Sequence, residues 1–376
     1  MQRALLCLSL DAVGAARLPE LVARAGFSTD LVGSRRLAAA SSGFVRQIIP
    51  ADTNGPSVRE AVEKHLAESE ETYSFLLSDE PFLRTFLDRA ASPATARLLP
   101  VTADPQGFAR LLSKVDFTVD AEVAGVPVPR FRILPDGRDL ERERWTGVPF
   151  VVKSAESLAG SGVRLVRSES DLLSAKQAGF TGPLIVQEYV QGRLGATAVL
   201  YRRGVPQCWY SYWLLRNWPN PLAAASAFEL FWDPQIEPFI TKLGALSGFD
   251  GLCGVDWMWN SELNRIQLIE MNIRPTPGLY LGRHAGVSFD KALAAWAAGR
   301  ELIQRPVQTS GQVLRLWPQN LYPAVEGGEP MEFIRAFSSA PWSDPGLMVS
   351  QFRRVVTHFL PTGLRSALRR TLRGPS

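Results

Sequence analysis

The stretch from Gly254 to Gly278, GVDWMWNSELNRIQLIEMNIRPTPG, constrains the fold more than any other part of the chain. The apolar run Leu252–Trp259 meets a polar segment, Asn260-Ser261-Glu262-Leu263-Asn264, and a second run returns over Ile266–Met271; the pattern predicts a β-hairpin. Asp256 and Glu270 sit inside those runs, where an unpaired carboxylate is costly. The turn sets them roughly opposite each other on neighbouring strands, close enough to share a cation. Asn272 comes two residues after Glu270, so strand alternation returns its amide oxygen to the same face, and Arg274 follows. Two carboxylates and an amide oxygen suit magnesium, a hard cation with oxygen ligands that usually keeps substrate phosphates in its shell. An arginine beside them suits a phosphoryl group in transfer. On these residues alone a second reading stands level with the first: a structural salt bridge in which Arg274 neutralises Glu270.

The rest of the chain narrows the setting. With 376 residues it can hold two or three domains, and 46% apolar with 21% charged residues is ordinary for a soluble globular protein. The net charge of +4 does not by itself argue for nucleic acid. Cys7, Cys208 and Cys253 are isolated and in no metal-ligand spacing, which suits free thiols in a reducing cytoplasm. His65, His284 and His358 form no zinc or Ser-His-Asp pattern, and no transmembrane span appears. The opening MQRALLCLSL meets Asp11 at once and has no clear cleavage site, so it reads as a buried first strand.

Residues 1 to about 100 alternate strands (Ala4–Leu10, Tyr73–Leu77, with short apolar runs at Thr29–Gly33 and Val45–Pro50) and helices (Ala15–Ala25, Val58–Glu68, Pro81–Ala90). Such alternation implies a parallel sheet with right-handed crossovers. No G-x-G-x-x-G follows the first strand, so a dinucleotide site is not supported. Further on, the strand Val148-Pro149-Phe150-Val151-Val152-Lys153-Ser154 ends in a cation. The glycine loop Ala159-Gly160-Ser161-Gly162-Val163 follows, and its N–H groups can close over phosphates. Pro183–Gly192 is a strand running into a glycine turn. Ala196–Tyr201 and Val205–Trp213 pair around Arg202-Arg203-Gly204, Pro234–Gly248 and Val287–Gly299 are helices, and the aromatics Trp209, Tyr210, Tyr212 and Trp213 read as strand packing.

Taken in order, D-x-(turn)-φ-E-x-N-x-R-P and these upstream pieces resemble the ATP-grasp superfamily of ligases, with its biotin carboxylase-like nucleotide fold, over roughly Lys114 to Arg300. The resemblance implies an α/β and α+β architecture. It comprises an N-terminal parallel α/β domain over 1–104, an ATP-grasp lobe over 105–182, a second lobe over 183–300 and a C-terminal extension over 301–376. It also implies roles for particular residues. Lys114, opening a helix that ends in Gly125-Val126-Pro127-Val128-Pro129, and Lys153 would reach the ATP phosphates, with Gly160, Ser161 and Gly162 closing over them. Gln187, Glu188, Tyr189 and Val190 would form the adenine hinge. Asp256, Glu270 and Asn272 would hold Mg2+, with Mn2+ as the alternative. Arg274 would steady the transferred phosphoryl group together with Arg216, for which a surface arginine among aromatics is the competing reading. The family often continues its hinge as G-x-E, with the acid on the ribose hydroxyls. This chain has Gly192-Arg193-Leu194 instead, so ribose contact is supplied elsewhere or weakened.

The implied activity is an ADP-forming carboxylate–amine ligase: a substrate carboxylate becomes an acylphosphate and is passed to an amine or similar nucleophile. The implied partners are these small molecules and no nucleic acid. A nucleotide binder without turnover is the alternative. So is a membrane-surface enzyme acting on an amphiphilic substrate, because residues 351–376 carry Arg353, Arg354, Arg365, Arg369, Arg370 and Arg373 without an acid. A helix docked on its own domain with a solvated arginine face competes with that last reading, and Pro361-Thr362-Gly363 breaks the amphipathic run. Within the extension, Val313–Trp317 reads as a strand, and Pro323–Pro330 and Ser338–Gly346 as loop-rich. Acceptor identity and oligomeric state are not legible.

Overall fold

A computed structural model describes residues 2–87, 89–99, 105–155, 162–220, 223–308 and 310–361. Three sheets organise it. The first is parallel, in the order β3-β2-β1-β4, from β1 (Gln2–Leu8), β2 (Phe27–Gly33), β3 (Val45–Pro50) and β4 (Phe75–Ser78). Both its faces are covered, so β1 is apolar at every central position: Ala4, Leu6 and Leu8 enter one core, Leu5 and Cys7 another. The second sheet is antiparallel, in the order β5-β8-β6-β7, from β5 (Phe131–Leu134), β6 (Phe150–Ser154), β7 (Val163–Val166) and β8 (Leu184–Glu188). The third has six antiparallel strands, in the order β13-β12-β9-β10-β11-β14, from β9 (Gly192–Arg202), β10 (Val205–Asn217), β11 (Ala225–Phe231), β12 (Gly251–Asn260), β13 (Arg265–Asn272) and β14 (Val313–Arg315).

The expected parallel opening domain and the expected β12–β13 hairpin are both present. The β9–β10 hairpin turns at Arg203 and Gly204, both with positive φ, which matches the right-handed twist of the strands. A side chain at Gly204 would collide with the Gly244 carbonyl, because the helix Ile236–Ser247 packs directly on that turn. One face of the third sheet, through Val199, Trp209, Trp213, Val255 and Trp257, shares a core with Ile240 and Leu243 of that helix. The other face, through Ala196, Ala198, Tyr210, Tyr212 and Phe228, joins the core that includes Leu6 and Leu8 of the first sheet.

Two expectations need correction. The helix predicted over Pro81–Ala90 ends after Arg84. The buried Arg59 guanidinium takes the carbonyls of Thr85, Arg89 (3.0 Å) and Ala90 (2.7 Å), which holds the following chain in a non-helical path. Of the segments expected to be loop-rich, Pro323–Pro330 starts inside the helix Leu321–Glu326, whereas 340–344 is non-helical as expected; with the helices Pro330–Ala336 and Pro345–Phe359 the extension forms a core of Trp317, Leu321, Ala336 and Val355. Its prolines stand at or near helix starts, where a missing N–H costs nothing. Asp344 caps the last of these helices through Leu347 N–H at 3.2 Å and also accepts from Ser42 and Gly43. Arg354 pairs with Asp11, so Pro345–Phe359 is docked on the first domain. The basic residues beyond Pro361 lie outside the described residues. Among those described, no helix is long and apolar enough to cross a membrane.

At the carboxyl end of the first sheet, buried Asp79 accepts from Ser9 N–H (2.6 Å), Ser9 O–H (2.8 Å), Leu10 N–H (2.8 Å) and Phe82 N–H (3.2 Å). Asp79→Ala strands three backbone donors and is expected to lower the unfolding free energy by about 3 kcal/mol, measured by urea denaturation.

Candidate active site

The hairpin register pairs Asp256 directly with Glu270, and Gly254 with Asn272. This juxtaposition depends on a β-bulge. Trp257 pairs with Leu268, so Ile269 is an extra residue on β13 between the two pairs. Leu268 points into the core beside Trp257, and strict alternation would send Glu270 the same way. The bulge turns Glu270 onto the opposite face with Asp256, and Asn272 follows on that face. Asn272 Nδ2 donates to Asp256 Oδ2 at 3.0 Å, and Arg274 Nη2 donates to Asn272 Oδ1 at 3.2 Å. The chain after Arg274 folds back so that the Thr276 methyl lies where a Cβ at Gly254 would be, which makes glycine obligatory there.

Two lysines enter from the other side of the cleft. Ser113 caps the helix Lys114–Val123 through Asp116 N–H, and Lys114 N–H donates to Ala155 O at 2.9 Å, tying the helix start to the end of β6. Lys114 Nζ then reaches Glu270 Oε2 at 2.7 Å. Lys153, buried on β6, donates to Gln187 Oε1 on β8 at 2.7 Å. Burial lowers its ammonium to about 8, against the pull of Glu270, with Lys114 adding to the lowering. Desolvation in the cleft followed by the Glu270 charge pushes the Asp256 carboxyl well above the usual carboxylate range. Glu270 moves the other way: desolvation alone would raise it, but Lys114, Lys153 and Arg274 together hold it low. Three cations thus face two carboxylates, a net positive cleft that suits a polyanion.

The structure brings together Lys114, Lys153, Asp256, Glu270, Asn272 and Arg274. The hinge residues follow directly from β8. Gln187, expected at the adenine hinge, is engaged by Lys153 through its side-chain oxygen. Glu188 receives Arg130 Nε at 2.9 Å through its side chain, Tyr189 is partly exposed with Arg167 over its ring, and Val190 is buried. Gly162 is described, and its carbonyl accepts Ser154 N–H at 3.0 Å; Gly160 and Ser161 lie outside the described residues. Arg216 is not brought into the cluster. Both its terminal nitrogens bind Glu329 of the C-terminal extension, at 2.6 and 2.8 Å. Sequence reasoning took Tyr212 for packing alone. It stands in the same cross-strand row as Asp256, with only Ala196 between them, and burial followed by the Asp256 charge raises its phenol.

Asp256, Glu270 and the Asn272 amide oxygen form a hard oxygen donor set that fits Mg2+ or Mn2+. The Asp256 carboxyl is raised by its desolvation and then by the Glu270 charge, a setting that a bound cation would relieve.

No protein-family model matches the chain, and no curated protein sequence does. Solved structures do. The N5-carboxyaminoimidazole synthetase of Staphylococcus aureus is 13% identical with a TM-score of 0.64, covering 88% of this chain and 87% of its own. The biotin carboxylase of Campylobacter jejuni, solved as a β-γ-ATP complex, is 16% identical with a TM-score of 0.61, covering 83% and 74%. The L-amino acid ligase of Bacillus licheniformis is 16% identical with a TM-score of 0.56, covering 82% and 75%. At these identities the likeness is one of fold, and the fold is the ATP-grasp fold.

The raised Asp256 carboxyl sets a pH dependence. A group that holds its proton more tightly when folded contributes stability below its unfolded value, here 3.8, and loses it as pH rises through the folded value. Between roughly pH 4 and 7, the metal-free protein is expected to lose melting temperature relative to an Asp256→Asn variant, measured by thermal denaturation. Mg2+ with ATP is expected to raise the wild-type midpoint and to leave that of the variant nearly unchanged.

Proposed function

We propose that this chain is an ADP-forming ATP-grasp ligase that activates a small-molecule carboxylate as an acylphosphate and transfers it to an amine or similar nucleophile. The observation that carries this reading is the cluster just described. Opposed carboxylates, an amide oxygen and an arginine lie on one hairpin, with two lysines arriving from a separate sheet and helix.

In this reading Asp256, Glu270 and Asn272 would hold Mg2+, which would supply neutralising charge for the polyphosphate. Lys114 would exchange its contact with Glu270 for phosphate oxygen, and buried Lys153 its contact with Gln187, from the floor of β6. Arg274, held at the strand end by its bond to Asn272, lies beside the transferring phosphoryl group and then beside the acylphosphate. The hinge over Gln187–Val190 receives the base. The substrate carboxylate supplies the nucleophilic oxygen, so the protein needs no nucleophile of its own. That oxygen bonds to the γ-phosphorus as the bridging oxygen leaves with ADP; the acceptor amine then attacks the acylphosphate carbonyl, inorganic phosphate leaves with the C–O bond electrons, and the amine proton passes to that phosphate or to solvent. Arg216 is proposed as a strut that fixes the C-terminal extension through Glu329. The three buried free thiols suit a cytoplasmic location.

The test is ADP release from Mg-ATP against a panel of carboxylates, with hydroxylamine as the trap. Because the structural neighbours include a carboxyaminoimidazole synthetase, a biotin carboxylase and an amino acid ligase, the panel spans bicarbonate and the L-amino acids. Hydroxamate or carbamate formed with one member, and lost in Glu270→Ala, supports the reading. ATP binding without turnover on any member favours a binder, and no Mg-ATP binding removes the reading. Arg274→Ala is expected to cut turnover by about 100-fold or more with little change in KM for ATP. Arg216→Ala and Glu329→Ala are expected to lower the melting temperature alike and to keep turnover within roughly threefold of wild type.

A further inference from the structure

The floor of the cleft has a direction. Asp256, Met258 and Asn260 lie on one face of β12, alternate residues along a strand that rises about 3.4 Å per residue. Asp256 marks the phosphate end. Asn260 pairs with Gly192, and the adjoining Ser261 hydroxyl donates to Gln191 O at 3.1 Å, so this end of β12 abuts the hinge. Met258, about 7 Å from each end, pairs with Leu194 on β9. A nucleoside triphosphate with its phosphates at Asp256 and Glu270 and its base at the hinge therefore lays its sugar over Met258 and Leu194.

Both side chains are half-buried and apolar. The next residue across the sheet is Leu214, which pairs with Phe228, also apolar. The polar groups nearby are committed elsewhere. Asn260 Nδ2 donates to Gln267 Oε1 at 2.8 Å, and Gln267 Nε2 donates to Val128 O at 3.0 Å. Asn260 Oδ1 accepts from the N–H groups of Glu262 and Leu263 in the hairpin turn. Arg193 turns to the opposite face, over the Trp213 ring and onto Glu229 at 3.1 Å. Asn260 and Gln267 are buried with their amides turned into the hairpin turn and the Val128 backbone, so among the described residues of this stretch of floor the side chains open to the cleft are those of Met258 and Leu194.

We infer that the nucleotide site does not read the sugar hydroxyls: Leu194 and Met258 support the pentose by apolar contact, and 2′-deoxy and 3′-deoxy adenosine triphosphates are accepted as readily as ATP. The inference rests on the nucleotide reading proposed above. A hydroxyl over an apolar surface keeps its water instead of gaining a partner, so removing it forfeits nothing at the site.

The experiment is calorimetric titration of the full chain with Mg-ATP, Mg-2′-deoxy-ATP and Mg-3′-deoxy-ATP, in wild type and in Leu194→Glu. Wild type is expected to bind all three with Kd values within about twofold of one another. Leu194→Glu places an acceptor under the sugar and is expected to favour ATP over at least one deoxy nucleotide by about tenfold. Met258→Glu serves as a second variant where the first does not fold. A wild-type preference for ATP of tenfold or more overturns the inference and leaves the ligase reading intact. Unchanged ratios in both variants overturn it as well, since the sugar then lies elsewhere. Failure of all three nucleotides to bind wild type brings down the nucleotide reading itself.

Discussion

One extra residue in a strand governs this molecule's chemistry. Without the bulge at Ile269, the alternation running through Ile266 and Leu268 would bury Glu270 beside Trp257, and Asp256 would face the cleft alone. With it, Glu270 and Asn272 share a face with Asp256, while Met271 and Ile273 return to the core. The hairpin thus packs a hydrophobic face on both sides of the bulge and still delivers two carboxylates and an amide to one point. The arrangement is electrostatically costly. Two desolvated acids oppose each other, and the strain shows in the raised Asp256 carboxyl. The fold keeps this hairpin because neighbouring elements bring compensating cations to it.

Those cations come from parts of the chain far apart in sequence. Lys114 is separated from Glu270 by 156 residues, yet the bond from its own N–H to Ala155 O fixes the helix start against β6, and its side chain spans the cleft. Lys153 lies one residue from the end of the same strand. The second and third sheets therefore meet through charge as well as through packing. In the proposed reading an arriving polyphosphate would take over contacts that the protein already makes to itself, with the lysines held in place before substrate comes.

Much of this was legible in the sequence, for a physical reason. Carboxylates inside apolar runs are rare enough to be informative, and the turn at Asn260–Asn264 brings Asp256 and Glu270 roughly opposite each other, although their direct pairing depends on the bulge. The direction of Glu270 was obtained only in part. Counting from Glu270 forward to Asn272 is right because no bulge intervenes, whereas counting from Leu268 would have failed, and nothing in Leu268-Ile269-Glu270 announces the extra residue. Arg216 illustrates the opposite limit. Its place on a strand among aromatics fits a phosphate ligand and a strut equally well, and Glu329, the partner it contacts in the structure, lies 113 residues away. The helices of the extension were hidden because proline reads as a breaker, although at a first helical turn it costs nothing.

The same reasoning separates what this site is built to discriminate from what it is not. Every charged group in the cleft is aimed at its phosphate end, and each is held by a second contact: Lys114 by Glu270, Lys153 by Gln187, Arg274 by Asn272. Toward the hinge the floor becomes leucine and methionine. Polar side chains there, Asn260 and Gln267, are used to close the hairpin turn and to hold the Val128 backbone. A buried polar group that discriminates must be left partly unpaired until its ligand arrives, and that costs stability. In the proposed reading this cleft concentrates that cost at Asp256, where phosphates and metal would meet, and leaves the sugar position apolar, so its selectivity would be directed at the charge and length of the polyphosphate.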